Sequence, residues 1–285
     1  MSLMKAVPSS SRRHEGARFP VRRESFDLTV VSDPYIFADN PLGSYFWLVL
    51  QAKFPDGEQF FIDSVRALRD RVADEQLQKD ISAFIGQEAM HGHAHRDANK
   101  AIERQFGIPM AGVEKRMKSL MVWFQKVHTP KQCLAATAGA EHLTALISGF
   151  LLRNPDYLAG FRDPTIRRLV MWHALEEREH RSVAFDVYQQ AGGDYFTRVV
   201  MLPWFVAVVL PATTAEIIRL MVRDGTIKDL RRLRSGLGSL FGRRGLVTGT
   251  LSTLFDYFRP GFHPGQDDLR ALELGWRREL GFAIT

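Results

Sequence analysis

Apolar residues recur at helical spacing along most of this chain, and proline, glycine and asparagine interrupt the pattern at intervals. The first interruption, at residues 39–44, leads into an apolar run over residues 45–54. Residues 55–57 form a second interruption, which predicts a new helix that begins near Glu58. A further helical pattern covers residues 74–106. No strand pattern of similar length competes with these segments, so the sequence predicts an all-α protein.

Capping residues predict where two later helices begin. Thr129 is suited to cap a helix, and Pro130 fits the first turn of that helix. Asp163 and Pro164 provide the same kind of start for a helix that is expected to end at residues 192–193. Both predicted helices carry acidic residues among apolar ones, where an unpaired carboxylate is costly to bury.

Two short strings repeat the pattern Glu-x-x-His. The first runs from Glu88 to His91, and the second runs from Glu177 to His180. Three residues advance an α-helix by about 300°, so the carboxylate and imidazole of each string project from one side of the helix. Each string can therefore supply two ligands to one metal ion.

Two further glutamates complete this pattern. Glu58 precedes Glu88 by 30 positions, and Glu141 precedes Glu177 by 36 positions. These intervals correspond to about one helix and a turn, so antiparallel packing brings each glutamate level with the next Glu-x-x-His. The sequence thus predicts a ferritin-like four-helix bundle with additional N- and C-terminal helices, in which four carboxylates and two imidazoles hold two metal ions.

Two other histidines share these helical stripes. His173, Glu177 and His180 are spaced i, i+4 and i+7, which makes His173 a candidate seventh ligand. His95 lies four residues after His91, and we interpret it as a hydrogen-bonding partner of a ligand or as a core histidine. Direct metal ligation by His95 is the alternative.

Glu176 and Glu179 lie beside the ligand stripe on the same predicted helix. A helical wheel directs both side chains away from the ligands. We expect these carboxylates to be solvated or paired with Arg178 or Arg181.

Composition narrows the remaining classes of function. Cys133 is the only cysteine, which excludes an intrachain disulfide and thiolate metal sites. The net charge is +6, and the basic excess lies mainly near the N-terminus and in residues 228–244. Neither segment interleaves aromatic with basic residues, which argues against specific nucleic-acid binding. The N-terminus lacks the apolar core of a secretory signal, so a cytoplasmic location is expected.

Three regions are expected: a flexible basic arm at residues 1–30, a ferritin-like metal-binding bundle at residues 31–195, and a helical extension at residues 196–285. The extension contains no charged residue between positions 199 and 215. Two hypotheses stay open for it. One is a buried helix that lines a substrate tunnel, and the other is a peripheral membrane contact through residues 199–244.

Several strings resemble the bacterial proteins described as predicted metal-dependent hydrolases, a branch of the ferritin-like superfamily. The resemblance is carried by residues 54–61, 84–91, 141–144, 172–188 and 259–264. The His-x-x-x-Glu-x-x-His string at residues 173–180 is also similar to that of the di-iron arylamine N-oxygenases. This second similarity implies that His173 ligates a metal.

Oxygen and imidazole ligands favour two iron ions, with manganese as the alternative. Apolar residues near the motifs favour oxidation of a hydrophobic small molecule with dioxygen and an electron donor. These residues are Phe84, Phe150, Trp172 and Phe185. The alternative function is hydrolysis of an ester or phosphoester by a metal-activated water. The sequence leaves open whether the chain forms a homodimer.

Overall fold

The computed structural model describes residues 17–283, and within this range the chain is helical and forms no β-strand. The predicted all-α class is therefore confirmed. The helices are α1 (Pro41–Leu68), α2 (Glu75–Phe106), α3 (Met110–Val127), α4 (Pro130–Arg153), α5 (Pro155–Leu158), α6 (Pro164–His180), α7 (Val183–Gln190), α8 (Tyr195–Arg223), α9 (Leu230–Phe241), α10 (Leu246–Leu254) and α11 (Arg270–Leu280).

Capping explains several helix boundaries. The Asp74 side chain accepts a hydrogen bond from the backbone of Leu77 at the start of α2, and Gly107 ends that helix in the left-handed conformation. At the start of α4, Thr129 and Gln132 form a reciprocal capping box. The predicted starts of α2 and α4 are confirmed.

The prediction of a new helix near Glu58 is wrong, because α1 continues through Pro55. Proline lacks the N–H that would bond to the carbonyl four residues earlier, so it weakens a helix interior. The helix nevertheless buries apolar side chains on both sides of this position, including Trp47 and Phe60. In addition, Arg96 of α2 donates to the Pro55 carbonyl at 3.3 Å. Packing against α2 therefore outweighs the missing hydrogen bond.

A single helix from Pro164 to residues 192–193 was also expected, and this prediction is wrong. Helix α6 ends at His180, and α7 begins at Val183. At the break, the Arg181 guanidinium donates to the carbonyl of Arg178. The Arg178 carbonyl thus accepts a hydrogen bond from a side chain, whereas in a continuing helix it would accept one from a backbone N–H.

Helices α1, α2, α4 and the α6–α7 pair pack together, and α3 and α8 pack beside α1 and α4. Buried apolar side chains fill this arrangement in two large clusters. The architecture is consistent with a ferritin-like bundle, although the ferritin-like assignment itself stays a prediction. Helices α1, α2, α4 and α6 are thus neighbours in the bundle.

Part of the expected flexible arm packs onto this bundle. Residues 1–16 lie outside the described part of the chain. Phe19 and Val21 are buried, and Arg22 is only 3% exposed. The Arg22 guanidinium donates to the carboxylates of Glu176 and Glu179 at 2.7–2.9 Å. For residues 17–22, the expectation of a flexible arm is wrong because these contacts tie the segment to α6.

Candidate metal centre

The structure brings all seven predicted ligands together in the interior of the bundle. Each is buried, with at most 5% of the residue exposed. They come from four helices: Glu58 from α1, Glu88 and His91 from α2, Glu141 from α4, and His173, Glu177 and His180 from α6. The helical spacing in the sequence therefore indicated which side chains converge.

These residues form overlapping groups in which three possible ligand atoms lie within 4.8 Å of one another. One group joins Glu58, His91 and His173. A second group joins Glu88, Glu141 and His180, and a third joins Glu88, His91 and Glu177. The three groups overlap, and His173 and His180 lie at the two ends of the cluster.

Glu88 and Glu177 lie between the two ends of this cluster. The two Glu88 oxygens are 3.0 Å from His180 Nε2 and 3.9 Å from His91 Nδ1. The two Glu177 oxygens are 2.8 Å from His173 Nε2 and 3.6 Å from His180 Nε2. Each of these carboxylates therefore has one oxygen near each of two different histidines.

Each candidate imidazole directs its second nitrogen at a buried partner. His91 Nε2 donates to Glu176 at 3.0 Å. His180 Nδ1 donates to the Gln87 side-chain carbonyl at 2.9 Å. Such partners fix the ring orientation and the tautomer of a metal-binding histidine.

The third imidazole is paired with the histidine whose role the sequence left open. His173 Nδ1 and His95 Nε2 are 2.7 Å apart. His173 Nε2 faces the cluster, whereas His95 belongs to none of the ligand groups found among the described residues. The position of His95 therefore agrees with the hydrogen-bonding interpretation and not with direct ligation.

The expectation for Glu176 and Glu179 is wrong. Both carboxylates are buried, and both accept hydrogen bonds from Arg22. Glu179 is also 2.8 Å from Arg277. Arg178, one of the expected partners, instead contacts Asp267 and Glu273 near the C-terminus.

Sequence spacing could not show these contacts, because they join α6 to segments more than 80 residues away. The only sequence signal was the density of charge in Glu-Glu-Arg-Glu at residues 176–179, which is unusual beside apolar residues.

Many polar atoms of the centre have no hydrogen-bond partner although they are fully buried. They are both side-chain oxygens of Glu58, Glu88 and Glu141, Oε2 of Glu177, Nδ1 of His91 and Nε2 of His180. Native proteins rarely leave buried polar atoms unsatisfied, since each one loses its hydration without compensation. Atoms of this kind that face one another fit the requirements of bound cations, which accept oxygen and imidazole ligands.

A cavity of about 220 Å³ adjoins this cluster and is lined by Glu58, His173 and Glu177. Most of its remaining wall is apolar and includes Phe54, Phe61, Leu143, Ile147, Phe205 and Val209. Of the apolar residues expected near the site, Phe84 and Trp172 pack on His180 and His91. Phe150 and Phe185 are not part of this cavity wall, because they pack against Tyr157 and Phe262 elsewhere.

A family model described as predicted metal-dependent hydrolase matches residues 20–268. The chain belongs to this predicted metal-dependent hydrolase family. The match does not address the suggested likeness to di-iron N-oxygenases. No curated protein and no solved structure matches the chain. The family description fits the hydrolytic alternative better than the oxidation that the sequence favoured.

Electrostatics in this member of the hydrolase family also favour positive charge between the carboxylates. Burial, together with the neighbouring Glu88 carboxylate, raises the pKa of Glu58 well above its usual range. Burial raises the pKa of Glu141 to about 8. Burial opposes ionisation of Glu177 as well, but the charge of His180 and hydrogen bonds from histidines outweigh it and lower the pKa of Glu177. Burial thus disfavours the ionised forms of Glu58 and Glu141, and bound cations would offset that cost.

Proposed function

We propose that this chain is a dinuclear metal enzyme that hydrolyses an uncharged ester of a hydrophobic small molecule. The proposal depends mainly on one observation. Six buried residues of the centre have oxygen or nitrogen atoms without a hydrogen-bond partner, and these atoms face one another beside His173 in groups that could hold metal ions. The chain also belongs to a predicted metal-dependent hydrolase family.

In this proposal the ligands divide between two metal ions according to the groups in which they lie. Glu58, His91 and His173 would hold one ion, and Glu141 and His180 would hold the other. Glu88 and Glu177, which each have oxygens near two of these histidines, would complete the ligand set. Once bound, such ions polarise a carbonyl group and lower the pKa of a water molecule.

The chain's own residues would orient the ligands and the substrate. Glu176, Gln87 and His95 hold the three imidazoles by hydrogen bonds, so ring rotation away from the centre is opposed. The cavity wall supplied by Phe54 and Phe61 would bind an apolar group beside the ligands and exclude water from it.

The small positive charge of the cavity wall favours uncharged esters over phosphoesters. Lys53 is the only lysine or arginine among the residues that line the cavity in the described part of the chain. Phosphoesters carry negative charge that is usually balanced by several cationic groups or a bidentate arginine. The apolar wall therefore favours a carboxylic ester with a hydrophobic acyl or alkyl group.

Oxidation of a hydrophobic molecule with dioxygen and an electron donor is the second candidate. It is favoured by the ligand set, which consists of carboxylates and imidazoles that suit iron, and by the apolar cavity beside it. Iron is accordingly the metal that we propose to be tested first, with manganese second.

The test combines metal analysis with two assays. Purified protein is stripped with a chelator and reloaded without oxygen with iron, manganese or zinc, and hydrolysis of p-nitrophenyl esters of increasing chain length is followed. We expect bound metal and metal-dependent hydrolysis that favours acyl chains longer than acetyl. Glu88→Gln should lose both, whereas Glu75→Gln, at an exposed position of the same helix, should retain both.

Two outcomes would overturn the hydrolase proposal. One is equal ester hydrolysis by the stripped and reloaded proteins. The other is absence of hydrolysis together with oxygen uptake by the reduced iron form when apolar compounds are added, which would establish the second candidate instead.

A further inference from the structure

Helix α8 exposes an apolar surface that the bundle does not explain. By length and composition, α4 and α8 are the two described helices that are apolar enough to cross a membrane. In α4, 83% of the most apolar window is buried, as expected for a core helix, but in α8 only 33% is buried. About two thirds of that window in α8 is therefore at least partly exposed.

The exposed side chains follow one stripe of α8. Phe196, Val200 and Trp204 are spaced four residues apart, and Leu210 and Ile218 continue the same side of the helix. Phe196 is 73% exposed and Leu210 is 58% exposed. The stripe extends for about 33 Å at 1.5 Å per residue. Soluble monomers rarely expose a continuous apolar surface of this length.

Helix α3 lies antiparallel beside α8 and extends this surface. Arg116 pairs with Glu216, the rings of Phe124 and Phe205 are 5.5 Å apart, and Trp204 donates to His128 at 3.0 Å. Trp123 and Val127, which are also exposed, lie near the end of α3 whose His128 contacts Trp204. We call Trp123, Val127, Phe196, Val200, Trp204 and Leu210 the α3–α8 apolar surface.

Exposed basic residues lie on the same two helices as the α3–α8 apolar surface. Lys115, Lys118 and Lys126 are exposed on α3, and Arg219 and Arg223 are exposed at the end of α8. A second copy of this chain would bring identical cations together across an interface. An anionic lipid surface would instead complement both the apolar stripe and the positive charge of these two helices.

We propose that the α3–α8 apolar surface docks on an anionic lipid bilayer, with α8 lying in the plane of the interface. A membrane-spanning position is disfavoured because the inner side of α8 buries Arg198 and Glu216 in the protein. Tryptophan prefers the interface between lipid and water, and both Trp123 and Trp204 are exposed here.

Docking would also place the cavity close to the lipid. Phe205 and Val209, on the inner side of α8, line the cavity beside the candidate metal centre. A hydrophobic molecule dissolved in the bilayer would then be separated from the cavity by a single helix. This inference does not require a particular reaction, so it stands independently of the hydrolase proposal.

Vesicle cosedimentation of the full chain tests the proposal. Phosphatidylcholine vesicles with about one third phosphatidylglycerol should bind the protein, and pure phosphatidylcholine vesicles or about 0.5 M salt should reduce binding several-fold. The triple variant Phe196→Ser, Trp204→Ser and Leu210→Ser should bind at least tenfold more weakly. Circular dichroism and metal content should stay unchanged, since these side chains are exposed.

Matched changes at other exposed apolar positions provide the control. Leu230→Ser with Phe241→Ser, on α9, should leave vesicle binding nearly unchanged. Equal losses in both variants, or no vesicle binding by the unmodified protein, would overturn the proposal. Sedimentation that shows a dimer abolished by the triple variant, without vesicle binding, would identify the surface as an interface between copies and would also overturn it.

Discussion

Arg22→Met tests whether the segment before α1 holds the metal-binding helix in place. The Arg22 guanidinium contacts Glu176 at 2.9 Å and Glu179 at 2.7 Å, and all three side chains are at most 3% exposed. Removal of one partner of a buried ion pair leaves an uncompensated charge and typically costs about 3–5 kcal/mol. Glu179 keeps a second contact, at 2.8 Å, with Arg277. We therefore expect a loss near the lower limit, about 3 kcal/mol.

The assay is urea denaturation followed by circular dichroism, with metal content measured on the same samples. In a thermal scan of the same two proteins, a loss of about 3 kcal/mol should lower Tm by roughly 6–12 °C. Because Glu176 also accepts from His91, metal affinity should fall by about tenfold or more. Arg18→Met is the control, since Arg18 is 67% exposed in its pair with Asp80 and should contribute at most about 1 kcal/mol.

If Arg22→Met unfolds at the same urea concentration as the unmodified protein, the buried pairs do not stabilise the fold as argued. If stability falls but metal content and affinity do not change, Glu176 does not orient His91. The two readouts thus separate the structural contribution of Arg22 from its effect on the candidate centre.

Three further changes test other parts of the structure. His95→Leu removes the partner of His173 and should weaken metal binding about 10–100-fold in a chelator competition. Gly139→Ala places a methyl group 2.9 Å from Leu202 Cβ, so it should separate α4 from α8 and cost about 1–3 kcal/mol in urea denaturation. Burial lowers the pKa of Lys53 to about 8, so the charged lysine destabilises the folded protein at pH 7. Lys53→Met should therefore stabilise the protein by about 1–2 kcal/mol at pH 7, after subtraction of the lost hydrogen bond to Thr213. Between about pH 8 and pH 10.5, Lys53 holds a proton in the unfolded chain but loses it in the folded chain, so the stability of the unmodified protein rises with pH. The difference in stability between the variant and the unmodified protein should therefore disappear over this range.

Matched controls accompany these three variants. Gly112→Ala, where the added methyl group meets only the flexible Arg116 side chain, should not destabilise the protein. Lys118→Met replaces an exposed lysine and should leave the stability at pH 7 nearly unchanged. For His95→Leu, unchanged chelator competition would contradict the proposed orientation of His173. Stability differences that are equal at pH 7 and pH 10.5 would contradict the argument for Lys53.

The sequence predicted the all-α class and the convergence of seven side chains because both depend on spacing within helices. Glu88 and His91, for example, must share one side of α2 whatever packs against it. The two wrong helix boundaries depend instead on tertiary contacts. Nothing local to Pro55 indicates that Arg96 contacts its carbonyl, and nothing local to Arg181 indicates where its guanidinium points.

The partners of the candidate ligands were harder to predict for the same reason. Gln87 is one residue before Glu88, but its contact with His180 joins positions 93 residues apart. Arg22 and Glu176 are 154 residues apart. A helical wheel can exclude these side chains from the ligand stripe, but it cannot identify what occupies the other side of the helix.

These long-range contacts bear on how the chain divides into regions. Helix α6 carries three candidate ligands, and its opposite side is held by Arg22 from the N-terminal segment and by Arg277 and Glu273 from α11. A chain cut to the expected bundle of residues 31–195 would lose all three partners and leave buried charges on α6 unpaired. Since unpaired buried charges strongly destabilise a fold, both ends of the chain contribute to the helix on which the candidate centre depends. The segments outside the bundle are therefore part of the structural support for that centre.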